Sequence, residues 1–406
     1  MFIGKTHIFM SKQLKVPTFL YFCSQNNMVM QKKVFYIYRA IAHYRGMERI
    51  FVDKINSLVR LYGYDVWLIT ADQGKHPLAY PLDEKAHHVD LNIRFHSASK
   101  YFIPIRHLEK IRLQYLFVKR LKSMIAQHNP DVLICNTDVF TNLVIMSKGK
   151  VPVIVESHCI CRYTCRREDE KFHHRFIRWY TFWNYRHADS FVALTEADAM
   201  EWKKYNSKAI AITNIVHLNP LNRISDCNSK HVIFTSRFAR QKGILYLLDI
   251  WKIVNAKHQD WQLDIYAQGE FREQYIPLIE QLDINIHVHE GTLDVFNRYC
   301  DSSIFLLTSI FEPFGLVLPE AMSCGLPVVS FDCDFGPREI ITDGVDGFLV
   351  PLGDIEGYAA KVCQLIEDED LRRRMGQNGI VSSQRYRAEN IMPKWIKLFE
   401  ELASGR

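Results

Sequence analysis

The chain has 406 residues, 48% of them hydrophobic and 24% charged, with formal net charge +6, which excludes collagenous, disordered and disulfide-framed classes and leaves room for two globular domains. Its ten cysteines are scattered without a framework of spacings, as suits a reducing compartment, and no apolar run reaches the roughly 18 residues a spanning helix needs. Charge is unevenly divided: residues 1–222 hold 32 Lys and Arg against 18 Asp and Glu, net +14, and residues 223–406 hold 19 against 27, net −8, a split that suggests two domains facing different environments.

Residues 1–29 have a basic start and one short apolar piece, VPTFLYFC, without a small-residue cleavage site, so a secretory signal is weakly supported. The segment reads as an N-terminal extension or a misassigned start, because Met30 directly precedes QKKVFYIYR, a basic-flanked first strand. Apolar positions at Ile50/Phe51, Ile55 and Leu58/Val59 predict a helix over Glu48–Tyr62 closed by Gly63. The strand YDVWLIT follows, then a basic amphipathic helix around Leu108–Ala126 and the buried-type strands VLICN, VPVIVES and SFVALT. A polar, turn-rich stretch, HLNPLNRISDCNSK (217–230), marks a domain cut. The second half restarts with HVIFTSRF and a helix over Ile244–Val254, then strands in QLDIYAQGE, INIHVHEG, SSIFLLTS, PVVSFD and DGFLV. This order predicts an α/β chain of two Rossmann-like, doubly wound domains in tandem. No GxGxxG occurs, so hydride chemistry lacks its main support.

The stretch SIFEPFGLVLPEAMSCG (309–325) carries two glutamates eight positions apart in an otherwise apolar setting. Glu312 is expected in the loop after a strand, and Glu320 in the first turn of the next helix, where the macrodipole favours an acid. In an open α/β sheet, ligands bind outside the carboxyl ends of the strands, which is where both would lie. In SRFARQKG (236–243), Arg237 and Lys242 fall between a strand end and a helix start, a place suited to phosphate oxygens. Two fixed cations can hold a diphosphate, Glu320 can accept both hydroxyls of a ribose, and Glu312 with the amides of Phe314, Gly315 and Leu316 can meet a sugar. The ligand that needs all of these together is a nucleotide diphospho-sugar.

RFARQKG, EPFGLVLPEAMSCGLPVV and GPREIITDGVDGFLV together resemble the retaining glycosyltransferases of family 4, with GT-B fold and an E-x7-E motif at Glu312 and Glu320. The resemblance runs from Met30 onward and is strongest over residues 231–352. It implies an acceptor domain over 30–216, a donor domain over 217–387 and a C-terminal helix, 388–406, packed back on the first. By the same resemblance Arg237 and Lys242 neutralise the donor diphosphate, Glu320 binds the ribose, and Glu312 with the Phe314-Gly315-Leu316 amides positions the transferred sugar. His158 matches the family's active-site histidine, and Gly46 the loop glycine near donor phosphate and acceptor, although Arg45 stands where the family usually has a second glycine. The implied reaction is transfer of a hexose or N-acetylhexosamine, with retention, from a UDP-linked or other nucleoside diphosphate donor. Its acceptor would be a lipid-linked saccharide or polysaccharide in capsule, O-antigen or lipopolysaccharide synthesis, with no cofactor and no metal.

Several features compete with this reading. Asp332 and Asp334 mimic the D-x-D that binds manganese in the other major glycosyltransferase fold, though three-letter matches arise by chance. HCICRYTC (158–165) offers three thiols and a histidine at a spacing unlike familiar zinc sites. The run RFIRWYTFWNYRHAD (175–189) has helical spacing, and core packing explains most of it. The basic half suits an anionic cytoplasmic leaflet and peripheral membrane association, with the helix LEKIRLQYLFVKRLK either lying on lipid or half-buried on a sheet. A nucleic-acid partner is not expected, because no recognition module is present. A non-enzymatic two-domain receptor shares the architecture.

Overall fold

The computed structural model describes residues 32–44, 46–137, 140–165 and 172–404, with backbone alone at 165 and 172–178. The extension over 1–29, Met30 and Arg45 lie outside the described residues.

Seven strands form the first sheet: β1 (Lys33–Tyr38), β2 (Asp65–Thr70), β3 (His87–Asp90), β4 (Val132–Asn136), β5 (Val153–Glu156), β6 (Ser190–Ala193) and β7 (Ala209–Ala211). They run parallel in the order β3-β2-β1-β4-β5-β6-β7. Helices α1 (Gly46–Tyr62), α2 (Ile103–His128), α3 (Thr141–Ser147), α4 (Cys161–Cys165), α5 (Phe172–Tyr185) and α6 (Glu196–Trp202) connect them. The second half follows with β8 (His231–Arg237), α7 (Ile244–Lys257), β9 (Gln262–Gln268), α8 (Arg272–Glu280), β10 (Ile286–His289), α9 (Val295–Cys300) and β11 (Ile304–Leu307). It continues with β12 (Phe311–Glu312), α10 (Val317–Ser323), β13 (Val328–Asp332), β14 (Asp334–Phe335), α11 (Gly336–Ile340), β15 (Gly347–Pro351), α12 (Ile355–Glu367), α13 (Glu369–Ser383) and α14 (Ala388–Ser404). Its main sheet is ordered β10-β9-β8-β11-β13-β15, and β12 pairs with β14 alone.

Both sheets are covered on two faces, which is why their strands read as continuous apolar runs. Along β1, Val34 and Tyr36 enter the core under α1, while Phe35 and Ile37 enter the opposite core under α2 and α3. The expected α1 forms because Ile50, Phe51, Ile55 and Leu58 share one buried stripe. Gly63, at φ 65, ends it in the left-handed region that glycine tolerates without penalty. Strands β3 and β7 escape the sequence pattern because both are sheet edges: HHVD is polar, and AIA is too short to show a period. The two halves meet where the chain crosses twice, with the Val216 N–H donating to the Tyr386 carbonyl at 3.0 Å. Helix α14 then returns to the first domain, burying Ile391, Met392, Trp395 and Phe399 with α1, β1 and β4.

Glu312 departs from expectation. It lies in β12, whose Phe311 and Glu312 pair in parallel with Asp334 and Phe335, and not in a free loop. The pairing is allowed by Gly336, where a Cβ would stand 2.0 Å from the Phe314 carbonyl oxygen. The aromatic run also differs in part: Phe182 and Tyr185 are core, whereas Trp179, Tyr180 and Trp183 are exposed. Its residues 175–178 have no described side chains.

Candidate active site

The carboxyl ends of β8 and β11 bring the donor-side residues together. Arg237 closes β8 and is exposed, and the turn Arg240–Lys242 is zipped to the segment after β11. The Ile310 N–H donates to the Gln241 carbonyl at 2.8 Å, and Gln241 Nε2 donates to the Phe311 carbonyl at 2.9 Å. That lacing places Lys242 Nζ against Glu312 Oε2, which also accepts from Ser309 Oγ at 3.0 Å. Gly243, at φ 62, opens α7, and a Cβ there would stand 2.0 Å from the Thr308 carbonyl oxygen, so the helix start is held tightly beside the strand end.

Gly315, at φ 94, lets the chain turn from β12 into α10, and a Cβ there would reach Glu312 Cγ at 3.1 Å. The Phe314 ring is buried against Tyr386, so only its backbone can serve a ligand. Glu320, in α10, is nearly enclosed, with 12% of its side chain exposed. Burial, first, pushes its carboxyl up to about 7, while Arg49 pulls it down and Asp53 pushes it up.

Arg49 comes from the other domain. Its guanidinium lies 3.8 Å from Glu320, and one turn earlier Gly46 faces Leu316, whose Cδ1 would be 3.2 Å from a Cβ at that glycine. The first turn of α1 therefore touches the donor domain at both ends of the Gly315–Glu320 segment. On the same helix, the Phe51 ring packs edge-on against His158, centroids 5.2 Å apart.

His158 follows β5 and is nearly buried. Its Nε2 lies 3.2 Å from Glu156 Oε2, and the same carboxylate oxygen is paired to Lys54 of α1. Burial lowers the His158 pKa, partly opposed by the Glu156 hydrogen bond, which favours a neutral ring near pH 7. A neutral ring that donates Nε2–H to Glu156 keeps Nδ1 as an acceptor. Glu156 is held below the usual carboxylate range: burial opposes ionisation, and the Lys54 charge and His158 together overcome it. Lys54 Nζ also sits 4.7 Å above the Trp395 ring, which ties this chain of charges to α14.

Two of these residues lay outside the motifs. Arg49 is a cation in a helix's first turn, where the macrodipole disfavours it, and Lys54 is a buried cation beside the apolar stripe of Phe51, Ile55 and Leu58. Both anomalies were readable. Their partners, Glu320 and Glu156, lie too far away in sequence for any spacing to reveal.

The competing features resolve into contacts. Asp332 Oδ1 accepts from Arg338 Nε at 3.0 Å, and Asp334 Oδ2 accepts from Arg162 Nη1 at 2.9 Å, so each aspartate of the D-x-D mimic has its own guanidinium. Arg162 and Tyr163 belong to HCICRYTC. They reach across from the first domain, with the Tyr163 ring stacked on Phe311 at 4.1 Å, directly beside Glu312. Cys161 is buried, and its N–H donates to Asp198 Oδ1 at 2.8 Å.

Both halves of the chain resemble known proteins. The family model Glycosyltransferase Family 4 matches residues 44–220, and Glycosyl transferases group 1 matches residues 224–381, so the two divide between β7 and β8. An amylovoran biosynthesis glycosyltransferase of Erwinia amylovora is 28% identical over 386 residues, 89% of this chain and 98% of its own. The fold is shared with TarM of S. aureus, at TM-score 0.75 and 17% identity over 91% of this chain and 99% of that one. It is also shared with the pneumococcal O-GlcNAc transferase GtfA in complex with UDP and GlcNAc, at TM-score 0.70 and 16% identity over 92% and 99%.

Proposed function

Because the chain belongs to the family 4 glycosyltransferases of GT-B fold, enzymes of glycan synthesis, we propose that it moves a hexose or N-acetylhexosamine from a UDP-sugar to a lipid-linked or polysaccharide acceptor, with retention at the anomeric carbon. The observation that carries this reading is the pairing of Lys242 with Glu312 beside the turn at Gly315, with Arg237 at the carboxyl end of β8 and Glu320 in the helix that follows the turn. Uridine as the base is supported by the GtfA complex with UDP. The other major glycosyltransferase fold, suggested by Asp332 and Asp334, is overturned by the two parallel sheets.

In the reaction, the bond between the anomeric carbon and the diphosphate oxygen breaks as the acceptor oxygen bonds to that carbon. The acceptor proton passes to the departing diphosphate on the same face. Negative charge grows on the leaving group, so preorganised cations at Arg237 and Lys242 and the amides around Gly315 stabilise it more in the transition state than in the ground state. Lys242 must be shared between phosphate and Glu312, and Glu312 in turn can accept a sugar hydroxyl. Glu320 accepts the ribose hydroxyls, with Arg49 beside it. His158 faces the reacting sugar, and Gly46 leaves room for donor phosphate. A metal is unnecessary in this scheme, which the arginine pairing of both aspartates supports.

Among the described residues no helix is long and apolar enough to cross a membrane. A lipid-linked acceptor supports a site of action at the cytoplasmic leaflet. Incubation with a panel of nucleotide sugars in excess EDTA tests the reading, with the anomeric configuration of the product read by NMR. Consumption of a UDP-sugar and a retained configuration are expected; a dead panel, an inverted product, or rescue only by manganese would overturn it.

A further inference from the structure

Seven of the 23 large exposed apolar side chains among the described residues fall within residues 101–115. Five of the seven lie on one helix, and Tyr101 and Phe102 lead into it. In α2, Leu113, Phe117 and Leu121 face the sheet and are buried, whereas Ile105, Leu108, Ile111 and Tyr115, spaced three, three and four residues apart, are exposed, Leu108 at 68%. A helix with an inward stripe needs no outward one for folding. The second stripe continues into Lys119 and Lys122, both exposed.

The neighbouring helices share this layer. Helix α3 packs between α2 and α5 on the same face of the first sheet, and α5 turns Phe182 and Tyr185 inward while leaving Trp179 and Trp183 exposed. Residues 100–122 carry seven Lys and Arg against the single acid Glu109, which Arg112 already pairs at 2.6 Å. Exposed apolar clusters on soluble domains mark interaction sites. Aromatic side chains interspersed with cations suit the water–lipid boundary, where a ring's apolar body and polar tip are both satisfied.

We propose that the outer face of α2, extended by α5, docks the protein on an anionic lipid bilayer. Ile105, Leu108, Ile111 and Tyr115 enter the acyl boundary, and Lys119 and Lys122 lie against lipid phosphates. This deepens the acceptor reading above, on which its biological sense rests, by naming the surface that meets the membrane. A second copy of the chain is a poorer occupant, because two such faces would oppose like charge.

Full-length protein is incubated at low salt with vesicles of phosphatidylcholine alone or with about 30% phosphatidylglycerol, and bound protein is separated by sedimentation. Binding is expected only to the anionic vesicles and is expected to fall as salt rises. L108E/I111E, at two exposed positions, should lower partitioning at least tenfold; K119E/K122E should erase the preference for anionic lipid. Both variants should keep the wild-type circular dichroism and UDP affinity, which separates loss of docking from loss of fold. Equal binding to both vesicles, or undiminished binding by L108E/I111E, overturns the proposal. So does a solution dimer, seen by light scattering, that the same variant dissociates. Bare vesicles require no nucleotide sugar, so such a failure would leave the transfer reading untouched.

Discussion

Each half of the molecule carries a lysine–carboxylate pair at the carboxyl end of a strand, and their surroundings differ. Lys54 and Glu156, in the first domain, have side-chain exposures of 3% and 2%; Lys242 and Glu312, in the second, have 13% and 11%. The first pair is sealed under α14 and Trp395 and holds His158 through Glu156. The second adjoins the turn at Gly315 and keeps a little exposure. A sealed pair cannot exchange partners without a desolvated charge being left alone, so its work is to hold the His158 ring. A pair with a little exposure can trade one partner for a ligand, which is what a phosphate and sugar site requires.

The largest expected effect tests the sealed pair. Lys54→Met strands Glu156 and should cost about 3–5 kcal/mol by urea denaturation, and K54M/E156Q should recover most of that loss by leaving no lone charge. Lys242→Met should cost less than that, because its pair is less deeply buried and Ser309 Oγ still donates to Glu312, while sharply reducing turnover. Equal stability losses in the two single variants would erase the distinction. In the K54M/E156Q protein, lower turnover at unchanged KM would identify the pair as positioning His158, because a purely structural role predicts no such split.

Next in size is Glu312→Gln. If Glu312 meets a sugar whose ring gains positive charge, its interaction strengthens toward the transition state, and turnover should fall about a hundredfold. Calorimetric UDP affinity should stay within about twofold, because free UDP has no sugar to contact. A matching loss of UDP affinity would mean that Glu312 mainly shapes the turn at Gly315.

The two pairs also differ in how far the sequence revealed them. The donor half was legible because its residues are local: Glu312, Gly315 and Glu320 fall within nine positions, and Arg237 and Lys242 within six. The tandem parallel sheets were legible from buried-strand runs broken by helical periods, with only the edges β3 and β7 missed. In the first domain the site is assembled from distant segments. Lys54 and Glu156 are 102 positions apart, and the Arg49–Glu320 contact joins opposite halves, so only the fold brings either pair together. The surface of α2 was ambiguous for a related reason. A helix with apolar residues on both faces reads as simply buried until the sheet shows which face it covers.

Glu320→Gln sharpens the comparison from the donor side. A ribose held by a charged acceptor before and during reaction predicts weaker UDP binding, by about 10- to 150-fold for a bond worth roughly 1.5–3 kcal/mol, with turnover at saturation comparatively spared.

The smallest effect is the dependence of that affinity on pH. Burial holds the Glu320 carboxyl at about 7, above its value in an unfolded chain, so between the two the folded protein binds the extra proton. Its contribution to stability is therefore present below the unfolded value and is lost as pH rises through 7. The variant with glutamine, neutral throughout, should gain on the wild type over that window, by about 3 kcal/mol at pH 8. Ribose binding runs the other way, because only the ionised carboxylate accepts both hydroxyls. About one site in ten is ionised at pH 6 and nine in ten at pH 8, so wild-type UDP affinity, divided by that of Glu320→Gln at each pH, should rise roughly tenfold. Taking the ratio removes the ionisation of the phosphate itself, which both proteins see. A flat ratio would show that Arg49, 3.8 Å away, keeps Glu320 ionised throughout, and that the carboxylate on the open side is as firmly paired as Glu156 is on the sealed one.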